Sequence, residues 1–314
     1  LAAAGALLAA WALTQGSFLF FCLSILLIGA NGAFVQQYRF AATESVADEF
    51  AGRAVSLVLV GGIFAGYLGP EIARHTQDLF SQALFVGSFV SIAVLYGAAV
   101  LLLSLLRDVA PPKELAHSTG RPLGEIARQP NYLVAVLAGA ASYGVMSFIM
   151  TATPVHMVGG EGFSLDQTAV VIQSHIMAMY LPSLITGFLV ERLGLFRIML
   201  IGAVLMIACS GLAIVSVAFI HYWGALVLLG LGWNLLFVGG TVLLTRTYAP
   251  NERFQAQAGN DFTVFGIQAM ASLSAGSLLY STNWTIMNLL SILVLAATLS
   301  VVLQQRKQLA VGAS

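Results

Sequence analysis

The chain has 314 residues, 59% hydrophobic and only 8% charged, and its thirteen basic and thirteen acidic side chains leave no net charge. A soluble domain carries about 25% charged residues, so an ordinary soluble protein is excluded and an integral membrane protein, bounded by lipid instead of water, remains. Basic residues are scattered among short loops, which excludes a nucleic-acid surface.

The first apolar run, residues 1–14, is shorter than the about 20 residues a spanning helix needs. Nine longer runs follow, near 17–38, 52–73, 83–106, 131–157, 167–190, 195–219, 222–245, 256–280 and 283–304. Spanning β-strands would be about 10 residues long with strict alternation, and these runs show neither feature. In lipid a helix satisfies its own backbone hydrogen bonds. The expected fold class is therefore all-α, a polytopic transmembrane helical bundle of about ten helices. Cys22 and Cys209 lie inside apolar runs and read as packing residues, not a disulfide. No cofactor and no metal site is expected.

Residues 107–129 form the one long hydrophilic stretch, with seven charged side chains and the pair Pro111 and Pro112. It reads as a cytoplasmic linker between an N-terminal half, 1–106, and a six-helix C-terminal half, 130–305, before a cytoplasmic tail, 306–314. Basic residues set the orientation. Alternate loops carry Arg39 and Arg53; Arg107, Lys113, Arg121 and Arg128; Arg192 and Arg197; Arg246 and Arg253; Arg306 and Lys307; the opposite loops carry Arg74 alone. The loaded side is expected in the cytoplasm. A shift of 207 residues lays Arg39 on Arg246, Ala42 on Ala249, Ala51 on Ala258, Gly52 on Gly259 and Gly69 on Gly276. Two parallel halves related by an axis along the membrane normal would produce such a repeat. The same shift implies a truncated first helix, with two more preceding it in an intact parent.

Three local patterns carry a family resemblance. Gly187, Glu191, Arg192, Gly194 and Arg197 follow the spacing Gly-x-x-x-Asp-Arg-x-Gly-Arg-Arg, with Glu for Asp and one terminal basic residue missing. Gly66, Gly69 and Pro70 match a Gly-Pro helix motif, degraded by Ala73 and Arg74 where two glycines are preferred. Met150 to Pro154 and Gly232 to Gly240 add a third. Together they resemble a bacterial major facilitator superfamily transporter, family helices three to twelve. The resemblance implies two rocking bundles around a central site, cavity-lining roles for family helices four, five, seven, eight, ten and eleven, and an inner-membrane location. Without the family, Glu191 and Arg192 at a helix end can pair with charges or helix termini across a gate. A generic basic turn is the alternative.

Polar groups at membrane depth are costly and so mark function. Helical spacing aligns Tyr143, Ser147, Thr151 and Pro154; Thr168, His175, Ser183 and Thr186; Gly230, Asn234, Phe237, Thr241 and Thr245 beside Trp233; and Asp261, Phe265, Gln268 and Ser272. In the first half Ser24, Asn31 and Tyr38 share a face, with Gln36 off the line. The substrate pathway is therefore expected at Asn31, Gln36, Tyr143, Ser147, Thr151, Trp233, Asn234, Thr241 and Gln268. Ser and Thr can instead bond back into their own helix, and Asn234 can simply join helices. Glu71 and Arg74 read as a local ion pair. Gly62 with Gly66, and Gly29 with Gly32, favour close helix packing.

His175 and Asp261 are the proton-coupling candidates, since burial disfavours their charged forms and alternating access changes that burial; Asp261 can also tether its helix start. Motifs of intramembrane enzymes are absent. A channel should show repeated pore segments. The expected function is proton-coupled secondary transport of a small organic solute by a monomer; a scaffold or sensor without flux is the rival.

Overall fold

The computed structural model describes residues 1–81, 83–105 and 120–305. Expectations resting on Arg107, Lys113, Arg306 and Lys307, and on the Pro70 side chain, lie outside the described residues. Every regular element among those described is helical: α1 (Ala2–Thr14), α2 (Phe18–Glu44), α3 (Ala51–Thr76), α4 (Val86–Leu103), α5 (Leu123–Ile126), α6 (Pro130–Val155), α7 (Leu165–Tyr180), α8 (Ser183–Leu193), α9 (Leu195–Val215), α10 (Phe219–Thr245), α11 (Arg253–Ser281) and α12 (Trp284–Gln304). Eight described helices are long and apolar enough to cross a bilayer, and the pair α7 and α8, bent by 42°, makes a ninth span. Each of the nine runs in the sequence meets one of these spans.

Local chemistry sets the ends. Pro130 opens α6 at its first turn, where the missing N–H costs nothing. Ser164 caps α7 in a reciprocal box with Gln167, and the Asn283 side chain accepts from the Ile286 amide at the start of α12. Gly194, at φ +80°, separates α8 from α9; a side chain there would be strained. Pro182 at the bend between α7 and α8 has no N–H to donate into the preceding turn.

The residues pack as two compact units, Leu1–Ala41 with Phe64–Pro111, and Ala42–Ile63 with Pro112–Ser314. In the first, α1 lies on α4 and also crosses α2 closely. A Cβ on Gly5 would stand 3.1 Å from the Ser24 carbonyl. Ser88 donates to the Ala73 carbonyl at 3.0 Å and joins the ends of α3 and α4. Glu71 and Arg74 form the expected local pair, at 2.7 Å. Gly29 and Gly32 correct an expectation: an added Cβ at either meets nothing within 4 Å among the described residues. Their spacing is only permissive, since no described backbone crosses that face.

In the second unit α10 is the central post, packed against α6, α7 and α9. Its backbone nearly touches α9. A Cβ on Gly232 would lie 2.7 Å from the Gly202 carbonyl, and one on Gly202 would lie 2.6 Å from the Leu236 nitrogen. Lipid tails are as apolar as leucine, so close backbone approach must supply what water supplies in soluble bundles. At the end of the bundle away from the linker, α6 passes into a π turn, His156–Gly160. There His156 stacks on Trp284 at 4.9 Å and bonds the Tyr222 hydroxyl, while Trp284 donates to the Ala213 carbonyl at 3.0 Å. These contacts tie the ends of α6, α9, α10 and α12 together.

The α9–α10 crossing yields a direct expectation. Gly232→Ala forces a methyl against backbone that cannot yield, an overpacking cost of about 1–3 kcal/mol. Thermal unfolding of the purified protein in detergent should show a lower midpoint for Gly232→Ala and little change for Gly211→Ala, where an added Cβ meets nothing within 4 Å among the described residues.

Candidate functional site

The polar and aromatic stripes on α6, α7, α10 and α11 converge on a wall inside the second unit. Tyr143 of α6 stands at its centre, edge-on to Trp233 at 5.1 Å, Phe237 at 5.0 Å and Phe265 at 5.2 Å. Trp233 stacks on Phe237 at 5.0 Å and meets Tyr180 of α7 at 5.9 Å. Trp233 and Phe237 are buried and back the wall; Phe265 and Tyr180 are half-buried and front it. Edge-to-face pairs of this kind add to area burial and hold ring orientation. The wall is therefore a close-packed aromatic cluster whose ring planes are fixed by their neighbours.

Further along the same faces of α6 and α11 the chemistry becomes polar. Ser147 is buried, Gln268 half-buried and Thr151 exposed, and Thr151 and Ser272 link their hydroxyls at 3.1 Å. Positions 137, 141, 144 and 148 of α6 border instead an apolar cavity of about 310 Å³ shared with α11 and α12. The hydroxyls lining that cavity, Ser274 and Ser291, bond back to Ala271 and Met287 of their own helices. With no spare hydroxyl donor among its described lining residues to orient a solute, the cavity is a poorer site than the wall.

Asn234 and His175 lie behind the wall, fully buried. The Asn234 amide donates to the Met179 carbonyl and the Ser183 hydroxyl, both at 2.7 Å, and its oxygen accepts from Thr186 at 2.7 Å. It thus bridges α10 to the proline break between α7 and α8 and takes the joining role. The His175 Nδ1–H donates to the Leu226 carbonyl at 2.8 Å, and its Nε2 has no hydrogen-bond partner among the described residues. Asp261 is half-buried near the start of α11 and accepts from Asn260 at 2.9 Å. Thr241 is buried one turn beyond Phe237. Asn31 and Gln36 are half-buried on α2 in the first unit; the wall belongs wholly to the second.

Glu191 of the loop motif pairs with Arg53 at 2.5 Å, and the Arg53 guanidinium lies over Phe188 at 4.4 Å. A Cβ on Gly187 would sit 2.6 Å from the Arg53 Cα, so only glycine lets α3 start there. Arg192 and Arg197 are exposed. Gly66 and Gly69 lie within the continuous helix α3, and an added Cβ on Gly69 meets nothing within 4 Å among the described residues.

Two neighbouring ties carried no motif. Glu44 accepts from Arg253 at 2.7 Å and from Gln257 at 2.8 Å. Glu252 is clasped by Arg121 through Nε and a terminal nitrogen, both at 2.7 Å, and accepts from the Ala249 amide at 2.9 Å. Ordinary charged residues in short loops announce none of this; only the alternation of loop charge hinted that both ends gather on one side.

This all-helical arrangement is matched by known proteins. The Major Facilitator Superfamily pattern covers residues 1–279. The chain belongs to the major facilitator superfamily. It is 44% identical over 299 residues to the riboflavin transporter RfnT of Brucella anthropi, spanning 95% of this chain and 75% of that protein. Among solved structures, the E. coli fucose:proton symporter FucP aligns at TM-score 0.67 and 15% identity, over 96% of this chain and 80% of that one. A bacterial homologue of the iron transporter ferroportin, in its outward-facing state, aligns at TM-score 0.60 and 16% identity, over 92% and 73%. These last two speak for the fold alone. As a major facilitator the protein is a multi-pass membrane transporter and not an enzyme, with a small molecule as cargo.

The Arg121 tie has a pH signature. The guanidinium and the Ala249 amide hold the Glu252 carboxyl at about 2, below its ordinary 4.5. A carboxyl depressed in the folded state adds stability that is complete above the ordinary value and fades as pH falls toward the folded one. Acid unfolding followed by circular dichroism should therefore show stability falling between about pH 4.5 and 2. Glu252→Gln should unfold at lower temperature at neutral pH and lose that part of the acid dependence.

Proposed function

We propose that this facilitator carries a flat heteroaromatic solute of the riboflavin class across the bacterial inner membrane by alternating access, coupled to protons. The observation that carries the reading is the wall built around Tyr143 and Phe265, in a chain 44% identical to a riboflavin transporter. A tricyclic ring system presents one large π-face, and the half-buried Phe265, held edge-on by the buried Tyr143 behind it, offers it a preformed stacking surface. The basic loops and the linker face the cytoplasm, following the positive-inside bias.

The ties Arg53 with Glu191 and Glu44 with Arg253 serve as a cytoplasmic gate. They hold in one access state and part in the other, so their strength biases the two populations. Asp261 is the more accessible proton carrier. His175 is sealed in this conformation, and its protonation requires α7 and α10 to separate first.

Uptake of labelled riboflavin into proteoliposomes holding the full-length protein tests the solute class. Stacking on an aromatic side chain contributes about 1–3 kcal/mol, so Tyr143→Ala and Phe265→Ala should each weaken riboflavin affinity about tenfold. Saturable uptake missing from the unsubstituted protein overturns the reading. Coupling is read separately, from uptake with and without an imposed pH gradient. Asp261→Asn or His175→Ala should abolish gradient-driven accumulation while leaving exchange at equal pH; accumulation that survives in both removes proton coupling through these residues.

A further inference from the structure

Most hydroxyls on these helices turn inward. Ser142 donates to the Gly139 carbonyl, Thr153 to Ile149, Thr298 to Val294 and Ser300 to Ala296, each within its own helix. Such bonds are the default for Ser and Thr in a membrane helix. Thr151 and Ser272 differ: they bond each other, across from α6 to α11, at 3.1 Å. Two hydroxyls have two donors between them, and one mutual bond uses only one. A donor and several lone pairs remain, on a pair whose α6 member is exposed.

The position of this pair matters as much as its chemistry. Thr151 is two turns beyond Tyr143 on α6, and Ser272 is two turns beyond Phe265 on α11. At 1.5 Å rise per residue each step is roughly 10–12 Å. Both helices run away from the linker side, and their aromatic members meet at 5.2 Å. Two matched rungs therefore cross the same pair of helices, one aromatic and one hydroxylic. Gln268, half-buried, lies between them on α11. The surface has an aromatic end and a hydrogen-bonding end, about the length of one small molecule apart.

Resting on the solute class proposed above, we infer that Thr151 and Ser272 read a polyhydroxylated side chain of the solute, and so fix its direction in the site. The ring lies at Tyr143 and Phe265, toward the linker end, and the polyol points to the opposite end. The hydroxyl pair exchanges its mutual bond for bonds to the polyol, each partner able to donate or accept. A site built around hydroxyls discriminates strongly against an analogue that lacks them, because its own polar groups are then left unpaired. The pair is thus a specificity determinant, separate from the rings that supply stacking.

The test compares riboflavin with lumiflavin, the same tricyclic ring carrying a methyl group in place of the polyol. Binding of each to the full-length protein in detergent is measured by flavin fluorescence quenching. The unsubstituted protein should prefer riboflavin by about tenfold or more, the worth of one or two hydrogen bonds. Thr151→Val with Ser272→Ala should erase that preference by weakening riboflavin alone, whereas Thr151→Ser should retain it. Tyr143→Ala should weaken both flavins and leave their ratio intact. A double variant that folds, binds both flavins and keeps the full preference overturns the hydroxyl assignment while the solute class stands. Equal binding of the two flavins by the unsubstituted protein overturns the hydroxyl assignment alone, and failure of riboflavin to bind it overturns both.

Discussion

The bundle depends on the approach of α10 to its neighbours. In water, helices associate because apolar surface is removed from solvent; in lipid that force is missing, and contact distance and polar pairing must replace it. Gly202 and Gly232 bring two backbones to a separation that one methyl group would prevent. Gly230 does the same against the His175 carbonyl of α7, where an added Cβ would lie at 2.7 Å. Asn234 adds the polar half. It answers the Met179 carbonyl and the Ser183 hydroxyl beside the Pro182 break, buried groups that cost about 1–3 kcal/mol each when left unpaired, and accepts from Thr186, which also reaches the Pro182 carbonyl. With α10 fixed on two sides, Trp233 and Phe237 are fixed too. The aromatic wall inherits its rigidity from this packing.

The linker-side ties are of a different strength. The side chains of Arg53 and Glu191 are 40% and 25% exposed, and those of Arg253 and Glu44 are 19% and 28% exposed. Pairs in contact with water contribute about 0–1 kcal/mol, enough to shift a two-state population several-fold and too little to lock it. The contrast suits the proposed alternating access, in which the aromatic cluster keeps its shape while the linker-side contacts remain close to balance. Gly187 sharpens the point: it sets the distance at which α3 meets α8, so the ion pair depends on a glycine four residues earlier in the chain.

The architecture was legible because lipid imposes one solution. Nine long apolar runs can only become spans, and each did; the break at Pro182 inside the 167–190 run and the capping box at Ser164 emerged only in the structure. The Tyr143, Trp233 and Phe265 faces were visible as helical spacing, and the pairing of Glu191 as a motif at a helix end. Their relation was not. Periodicity places residues on a face without saying which face looks at which, so Asn234 could line a path or join helices until Ser183 and Thr186 were seen around it. Tyr180, Glu44 and Glu252 lacked any signal, because an aromatic near a helix end or a lone acid in a turn acquires its role only from long-range packing. The grouping of Ala42–Ile63 with the later helices is of the same kind, set by close packing of Gly52 on Val190, Arg53 on Gly187 and Gly62 on Tyr180 across more than a hundred residues of sequence.

One tension remains inside the rigid part. His175 and Trp233 are both fully buried, and the His175 Nε2 and the Trp233 Nε1 have no hydrogen-bond partner among the described residues. A burial of this kind costs free energy that the seam between α7 and α10 must recover from packing. Both atoms belong to the helices that Asn234 clamps, close to the bend where a proline has already removed one backbone bond. The α7–α10 seam is thus tightly joined at one level and under-satisfied at the next. The seam opens most cheaply where water can accept from the Trp233 Nε1–H and donate to the His175 Nε2. That puts any movement that exposes His175 immediately behind the aromatic wall, on the helix α10 that carries Trp233 and, through it, the edge-on contact to Tyr143.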